Sequence, residues 1–156
     1  MSSIIFEAGR EVIVNDLGHR LSMLETMMAV AYLFAKRSTC KRLQVGAVIT
    51  DLDMRQVLAY GYNGNYAGGP NTCDRDEAGA CGCIHAEENA LIKLTSPERD
   101  LILFTTHSPC VLCAKRIVNQ GHIKHIIYAV QYRRSEGLTL LADAGITTQW
   151  INDTTH

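Results

Sequence analysis

Two short stretches of this 156-residue chain carry side chains able to hold a metal and move a proton: His85-Ala86-Glu87 and Pro109-Cys110-Val111-Leu112-Cys113. One imidazole and two thiolates make three protein ligands for Zn²⁺. Three ligands leave the fourth tetrahedral position for water, as catalytic zinc sites do. The metal lowers the pKa of that water, which makes hydroxide available near neutral pH. Glu87 stands two residues beyond the histidine, near enough to shuttle protons without being a ligand. Each half is ambiguous in isolation. A lone C-x-x-C also fits a structural zinc half-site or a redox pair, and a lone H-x-E says almost nothing. Together, each opening a helix, they read as a hydrolytic zinc centre, because the positive end of a helix dipole lowers thiolate pKa values.

The elements that must position these groups follow from hydrophobic periodicity. Leu24, Met27, Met28, Ala31, Phe34 and Ala35 recur at helical spacing, so 23–37 is expected to be helix. Ser22 and Glu25 form its capping box, with the glutamate reaching back to the cap. Val45 to Thr50 and Gln56 to Tyr62 read as a hairpin turned at 51–55. Residues 63–83 are rich in glycine and include Pro70, so they form a long loop of the kind that usually carries function. Helices are expected at Ile84–Leu94, from Pro109 to Asn119, and at Gly137–Ala144. Strands are expected at Leu101–Thr106, His125–Val130 and Thr147–Ile151, and a short one at Glu11–Val14. Helices interleaved with strands in this order predict one domain over 1–156, a three-layer α/β/α sandwich with a five-stranded mixed sheet. Residues 1–20 form an N-terminal extension of no assigned role.

Composition narrows the function. Fifteen Lys and Arg against sixteen Asp and Glu give a net charge of −1, without the basic excess of proteins that grip nucleic-acid backbones. The longest uncharged apolar run, Met27 to Ala35, is far short of the ~20 residues a membrane span needs. Glu7, Arg10, Glu11, Asp16 and Arg20 argue against a secretory signal and for a cytoplasmic, reducing setting. Six cysteines there are more readily metal ligands than disulfides.

A resemblance sharpens this. H-x-E followed by P-C-x-x-C is the signature of zinc nucleobase deaminases. The stretch from Ser22 to Trp150 resembles the deoxycytidylate (dCMP) deaminase family within the cytidine deaminase superfamily. The matching residues are Arg37-Ser38-Thr39-Cys40, Val45-Gly46-Ala47-Val48, Gly61-Tyr62-Asn63-Gly64, Asn71 with Cys73-Asp74, and His85-Ala86-Glu87 with Asn89-Ala90. The match continues through Ser108-Pro109-Cys110 with Cys113-Ala114-Lys115 to Ala144-Gly145-Ile146.

The resemblance implies hydrolysis of dCMP to dUMP and ammonia, which supplies the precursor for dTTP. Glu87 is then the proton shuttle, and His85, Cys110 and Cys113 hold the catalytic zinc. Arg42 and Arg133 match positions that reach the 5′-phosphate, with Arg37 and Arg134 as rival choices. Tyr132 is expected to face the pyrimidine, Asn63 to contact the sugar hydroxyl, and Ala86 to line the substrate site. In regulated members, dCTP activates and dTTP inhibits, each with Mg²⁺, and the enzyme is a homohexamer. The corresponding effector loop here holds Tyr62, Gly64, Asn65, Gly68 and Gly69. Partners are thus small nucleotides and further copies of the chain, with neither nucleic acid nor membrane.

Four cysteines are left over: Cys40, Cys73, Cys81 and Cys83. They could form a second, structural zinc site that pins the glycine-rich loop, or remain as buried thiols, or form disulfides. Two other functions compete. A tRNA adenosine deaminase shares the zinc motifs, but the net charge and Tyr62-Asn63-Gly64 disfavour it. A catalytically inactive zinc module has no use for Glu87.

Overall fold

The computed structural model describes residues 4–5, 13–14 and 20–152. Two short strands, β1 (Ile4–Ile5) and β2 (Ile13–Val14), pair antiparallel. Of the short strand expected at 11–14, residues 11 and 12 lie outside the described residues.

Helix α1 spans Met23–Ala35 and buries Met27, Met28, Ala31, Tyr32 and Ala35. Its capping box is only half made. Ser22 Oγ accepts the Glu25 N–H at 3.1 Å, but Glu25 Oε2 is buried without a partner. The helix stops two residues short of the expected end, where Arg37 and Ser38 turn back onto the carbonyls of Phe34 and Ala35. Strands β3 (Gly46–Thr50) and β4 (Val57–Tyr62) form the hairpin. Asp51 Oδ1 holds its turn by accepting from the N–H groups of Arg55 and Gln56 at 2.7 and 3.0 Å.

The remaining elements are α2 (Ala86–Lys93), β5 (Leu101–His107), α3 (Val111–Gln120), β6 (Ile123–Val130), α4 (Glu136–Asp143) and β7 (Thr147–Trp150). The main sheet has the order β4-β3-β5-β6-β7. Its β4-β3-β5 part is antiparallel, and β5-β6-β7 is parallel. The sheet is mixed and five-stranded, as expected.

Both faces are covered, so every residue of β3 and β5 is buried. On one face Met28, Ala31 and Tyr32 of α1 pack on Val48, Phe104 and Ile127. On the other, Ala86 and Ala90 of α2, Ala114 and Ile117 of α3, and Leu141 of α4 pack on Ala47, Ile49, Leu103 and Ile126. This is the three-layer sandwich. Two glycines set how closely its layers approach. A Cβ on Gly46 would stand 1.8 Å from Ala31 O, and one on Gly61 would stand 2.1 Å from Ala86 O. Gly61 thus seats the first turn of α2 directly against β4. Among the described residues, no helix is long and apolar enough to cross a membrane.

Candidate active site and metal centres

The strand directions bring four chain segments to one end of the main sheet. β5 leads from His107 into α3, β6 leads into 131–134, and β4 leads into Asn63, beside the start of antiparallel β3. Ligand sites form where the chain leaves the carboxyl ends of parallel strands. A cavity of about 430 Å³ opens here, lined by His85, Ala86, Glu87 and Cys110 together with Arg42, Asn63, Tyr132 and Arg133.

His85 and Cys110 are the N-cap residues of α2 and α3, with extended backbone (ψ 156° and 169°). Ser, Thr, Asp or Asn usually fill that position and bond the first turn. Neither His85 nor Cys110 makes such a bond. Their side chains converge instead. His85 Nδ1 lies 3.5 Å from Cys110 Sγ and 3.3 Å from Cys113 Sγ. Tetrahedral zinc with ordinary bond lengths needs N···S edges of about 3.6 Å, so the donor set fits that metal. Two helix N-termini aim at it, which favours thiolates. The hydrogen bond from Cys113 holds the Cys110 thiol down to about 3, and the same bond together with burial pushes Cys113 up. The bond to Cys110 raises His85. A metal replaces the protons on these groups.

Glu87, 4% exposed, lies in the first turn of α2. Burial pushes its carboxyl up to about 7. Behind the centre, Glu88 of α2 pairs with Arg116 of α3 at 3.0 Å, which ties the two ligand-bearing helices together.

Arg42, Arg133 and Arg134 all line the cavity. Arg37 does not line it. Its guanidinium lies 5.6 Å from the Tyr62 ring centroid, outside the cavity. Tyr132 is set by its N–H, which donates to Ser108 Oγ at 2.6 Å. Asn63 has a second task besides facing the cavity. Its Oδ1 accepts from Val45 N–H at 2.8 Å, and its Nδ2 donates to Leu43 O at 2.7 Å. One lone pair and one amide hydrogen remain for a ligand.

The effector-loop residues Tyr62, Gly64, Asn65, Gly68 and Gly69 are not part of the cavity lining. Gly64 bridges Ile84, which is why α2 begins at Ala86 and not at Ile84. Asn65 is consumed within the loop, with Nδ2 bonded to Thr72 O and Asp74 Oδ1.

The surplus cysteines meet. Cys40, Cys73, Cys81 and Cys83 offer sulfurs within 4.8 Å of one another. Neighbouring pairs stand 3.6, 3.6 and 3.9 Å apart. A tetrathiolate zinc needs S···S edges of about 3.8 Å. Burial raises the Cys40 thiol, but bonds from the backbone of Leu43 and Arg42 and from Cys73 and Cys81 outweigh it and leave it lowered. All six described cysteines are free of disulfides.

His107, which lines the cavity beside Ser108, is in none of the sequence motifs. The signal was present, since odd-numbered β5 residues share the α2–α3 face and His107 immediately precedes Ser108-Pro109-Cys110.

Comparison with known proteins agrees with this geometry. Residues 21–130 match the family described as cytidine and deoxycytidylate deaminase zinc-binding region. ComE operon protein 2 of Bacillus subtilis is 35% identical over 140 residues, covering 85% of this chain and 72% of that protein. The deoxycytidylate deaminase of Schizosaccharomyces pombe is 35% identical over 150 residues, and the match spans 86% of this chain and 45% of the yeast protein. The crystal structure of dCMP deaminase from cyanophage S-TIM5 in complex with dCMP and dUMP superposes with a TM-score of 0.74 at 34% identity. That match covers 85% of this chain and all of the phage chain. The matched zinc-binding region takes in His85, Glu87, Cys110 and Cys113, and the chain belongs to the cytidine and deoxycytidylate deaminase family.

Proposed function

We propose that the chain is a dCMP deaminase, converting dCMP and water to dUMP and ammonia, with residues 1–156 acting as one deaminase unit. One observation carries this reading: a single cavity is lined by His85 and Cys110 of the donor set and by Glu87, together with Arg42, Arg133 and Arg134. A cytosine amine and a phosphate must be held at once, and the likeness to a phage enzyme solved with dCMP and dUMP supports the pairing. Zinc, when bound by His85, Cys110 and Cys113, supplies a Lewis acid and a more acidic water. Glu87 takes a proton from the attacking water at a carboxylate oxygen. It delivers that proton to N3 of the ring, then takes the remaining proton of the hydroxyl added at C4 and passes it to the C4 amine, which departs as ammonia. Its burial keeps bulk water from competing for those protons. Arg42 and Arg133 hold the 5′-phosphate, where a guanidinium fork matches phosphate oxygens. Tyr132 lies against the pyrimidine, Ala86 flanks it at the start of α2, and the free donor and acceptor of Asn63 take the sugar hydroxyl.

Assays of dCMP, deoxycytidine, dCTP and an RNA hairpin for ammonia release test this. The expected result is turnover of dCMP, with deoxycytidine lower by about one to two decades, since one charge-assisted phosphate contact is worth roughly 1.5–3 kcal/mol. Equal activity on nucleoside and nucleotide refutes the arginine assignment, and turnover of the hairpin alone refutes the substrate.

The tetrathiolate cluster is proposed to hold a second, structural zinc that pins the 63–83 loop. Regulation is proposed at the Tyr62–Gly69 loop, with dCTP activating and dTTP inhibiting as Mg²⁺ complexes in a homohexamer. Tyr62 lies close to two cations, Arg37 at 5.6 Å and Lys93 at 5.5 Å from its ring centroid, which suits a polyphosphate. Kinetics that stay hyperbolic and unchanged with either triphosphate and Mg²⁺ present remove this site.

A further inference from the structure

His107 closes β5, is 6% exposed, and lines the cavity that holds Glu87 and Arg42. No motif assigned above uses it. Its place on the sheet is informative. Ala47 pairs with Thr105, and Gly46 with Tyr62. One step further toward the cavity therefore sets Val45 between His107 and Asn63, and the Asn63 N–H does donate to Val45 O at 3.3 Å. Asn63, Val45 and His107 form one row across three strand ends, and all three line the cavity.

The neighbouring Thr106 fixes which ring nitrogen carries the proton. Thr106 is fully buried. Its Oγ1 accepts the Gly46 N–H at 3.2 Å and stands 3.1 Å from His107 Nδ1. A buried hydroxyl must place its own hydrogen on an acceptor, and Nδ1 is the acceptor in reach. A neutral imidazole that accepts at Nδ1 carries its proton on Nε2. Burial also lowers His107 to about 4, which keeps the ring neutral at physiological pH.

We propose that His107 is a substrate-binding residue whose Nε2–H donates to an oxygen on the sugar–base half of the nucleotide, beside Asn63. The proposal rests on reading the cavity as a deoxycytidylate site. On that reading Arg42 and Arg133 serve the phosphate, and both line the cavity. A neutral donor one strand away from Asn63 serves the uncharged part of the ligand, where a cation would be desolvated without a counter-charge.

The test compares His107→Leu, His107→Asn and His107→Gln with wild type in steady-state assays on both dCMP and deoxycytidine. A glutamine amide nitrogen reaches the place of Nε2, whereas an asparagine stops near Nδ1. Leu and Asn are expected to raise KM about 5- to 10-fold on both substrates, the worth of one neutral hydrogen bond. Zinc content and kcat stay near wild type, and Gln stays within about twofold of wild-type KM. Unchanged KM in His107→Leu overturns the proposal, as does a Gln variant as impaired as Leu, or a loss confined to dCMP. Should the Leu variant fold poorly, ¹⁵N spectra of the wild type decide. A proton on Nε2 whose signal moves when dCMP binds supports the assignment, and a proton on Nδ1 overturns it. A wild type that does not turn over dCMP sinks the proposed function instead, so the two failures are distinct.

Discussion

Glu87→Ala is expected to keep zinc and bind dCMP while losing about 10²- to 10⁴-fold in kcat, the usual worth of a positioned general acid–base. The metal ligands His85, Cys110 and Cys113 are untouched by the change, so metal analysis separates loss of the shuttle from loss of the centre. Glu87→Gln keeps the shape of a side chain that is 4% exposed and removes only its proton chemistry. It is expected to lose as much. Near-normal turnover in either variant shows that another group moves the protons. Stopped-flow or ammonia-coupled kinetics on dCMP, paired with elemental analysis of the same preparations, read both quantities.

The second large effect divides the two thiolate clusters. Wild type is expected to hold about two zinc ions per chain, one for each donor set. Cys110→Ser breaks the set at His85 and Cys113. It is expected to hold about one zinc and to have no measurable deamination, because too few ligands remain for a catalytic site. Cys81→Ser breaks the other set and is also expected to hold about one zinc, with a lower thermal midpoint and residual activity. One zinc in wild type, retained in Cys81→Ser and lost in Cys110→Ser, removes the structural site and leaves four thiols.

Much of this was legible because local chemistry and global fold agree. The helical spacing in α1 comes from Met27, Met28 and Ala31, which are the residues that meet the sheet. The β-branched run at 45–50 is buried on both faces. The His85, Cys110 and Cys113 donor set was legible from spacing alone, as H-x-E followed by P-C-x-x-C. What the sequence could not supply is tertiary in origin. Glu25 reads as the second half of a capping box, yet its carboxylate does not return to the cap. Ile84 reads as helix, but pairing with Gly64 keeps it extended. Sequence offers Arg42 for the phosphate with Arg37 as its rival, and the turn after α1 sets Arg37 by Tyr62 and Arg42 in the cavity lining. The convergence of Cys40 with Cys81, 41 residues apart, depends on how a long loop returns to the end of α1. Spacing alone does not encode that.

Viewed as a polymer, the chain carries its two donor sets in series. The first joins positions between Cys40 and Cys83, the second positions between His85 and Cys113, and only Ile84 lies between them. Metal bound at each would act as a multiple cross-link, and the outermost rings, 40–83 and 85–113, abut without threading through one another. Closure entropy grows only with the logarithm of ring size. A 15-residue ring is worth about 3 kcal/mol and a 100-residue ring about 4.7 kcal/mol in the chain-entropy picture. The two rings therefore restrict the unfolded ensemble by similar amounts despite serving different ends.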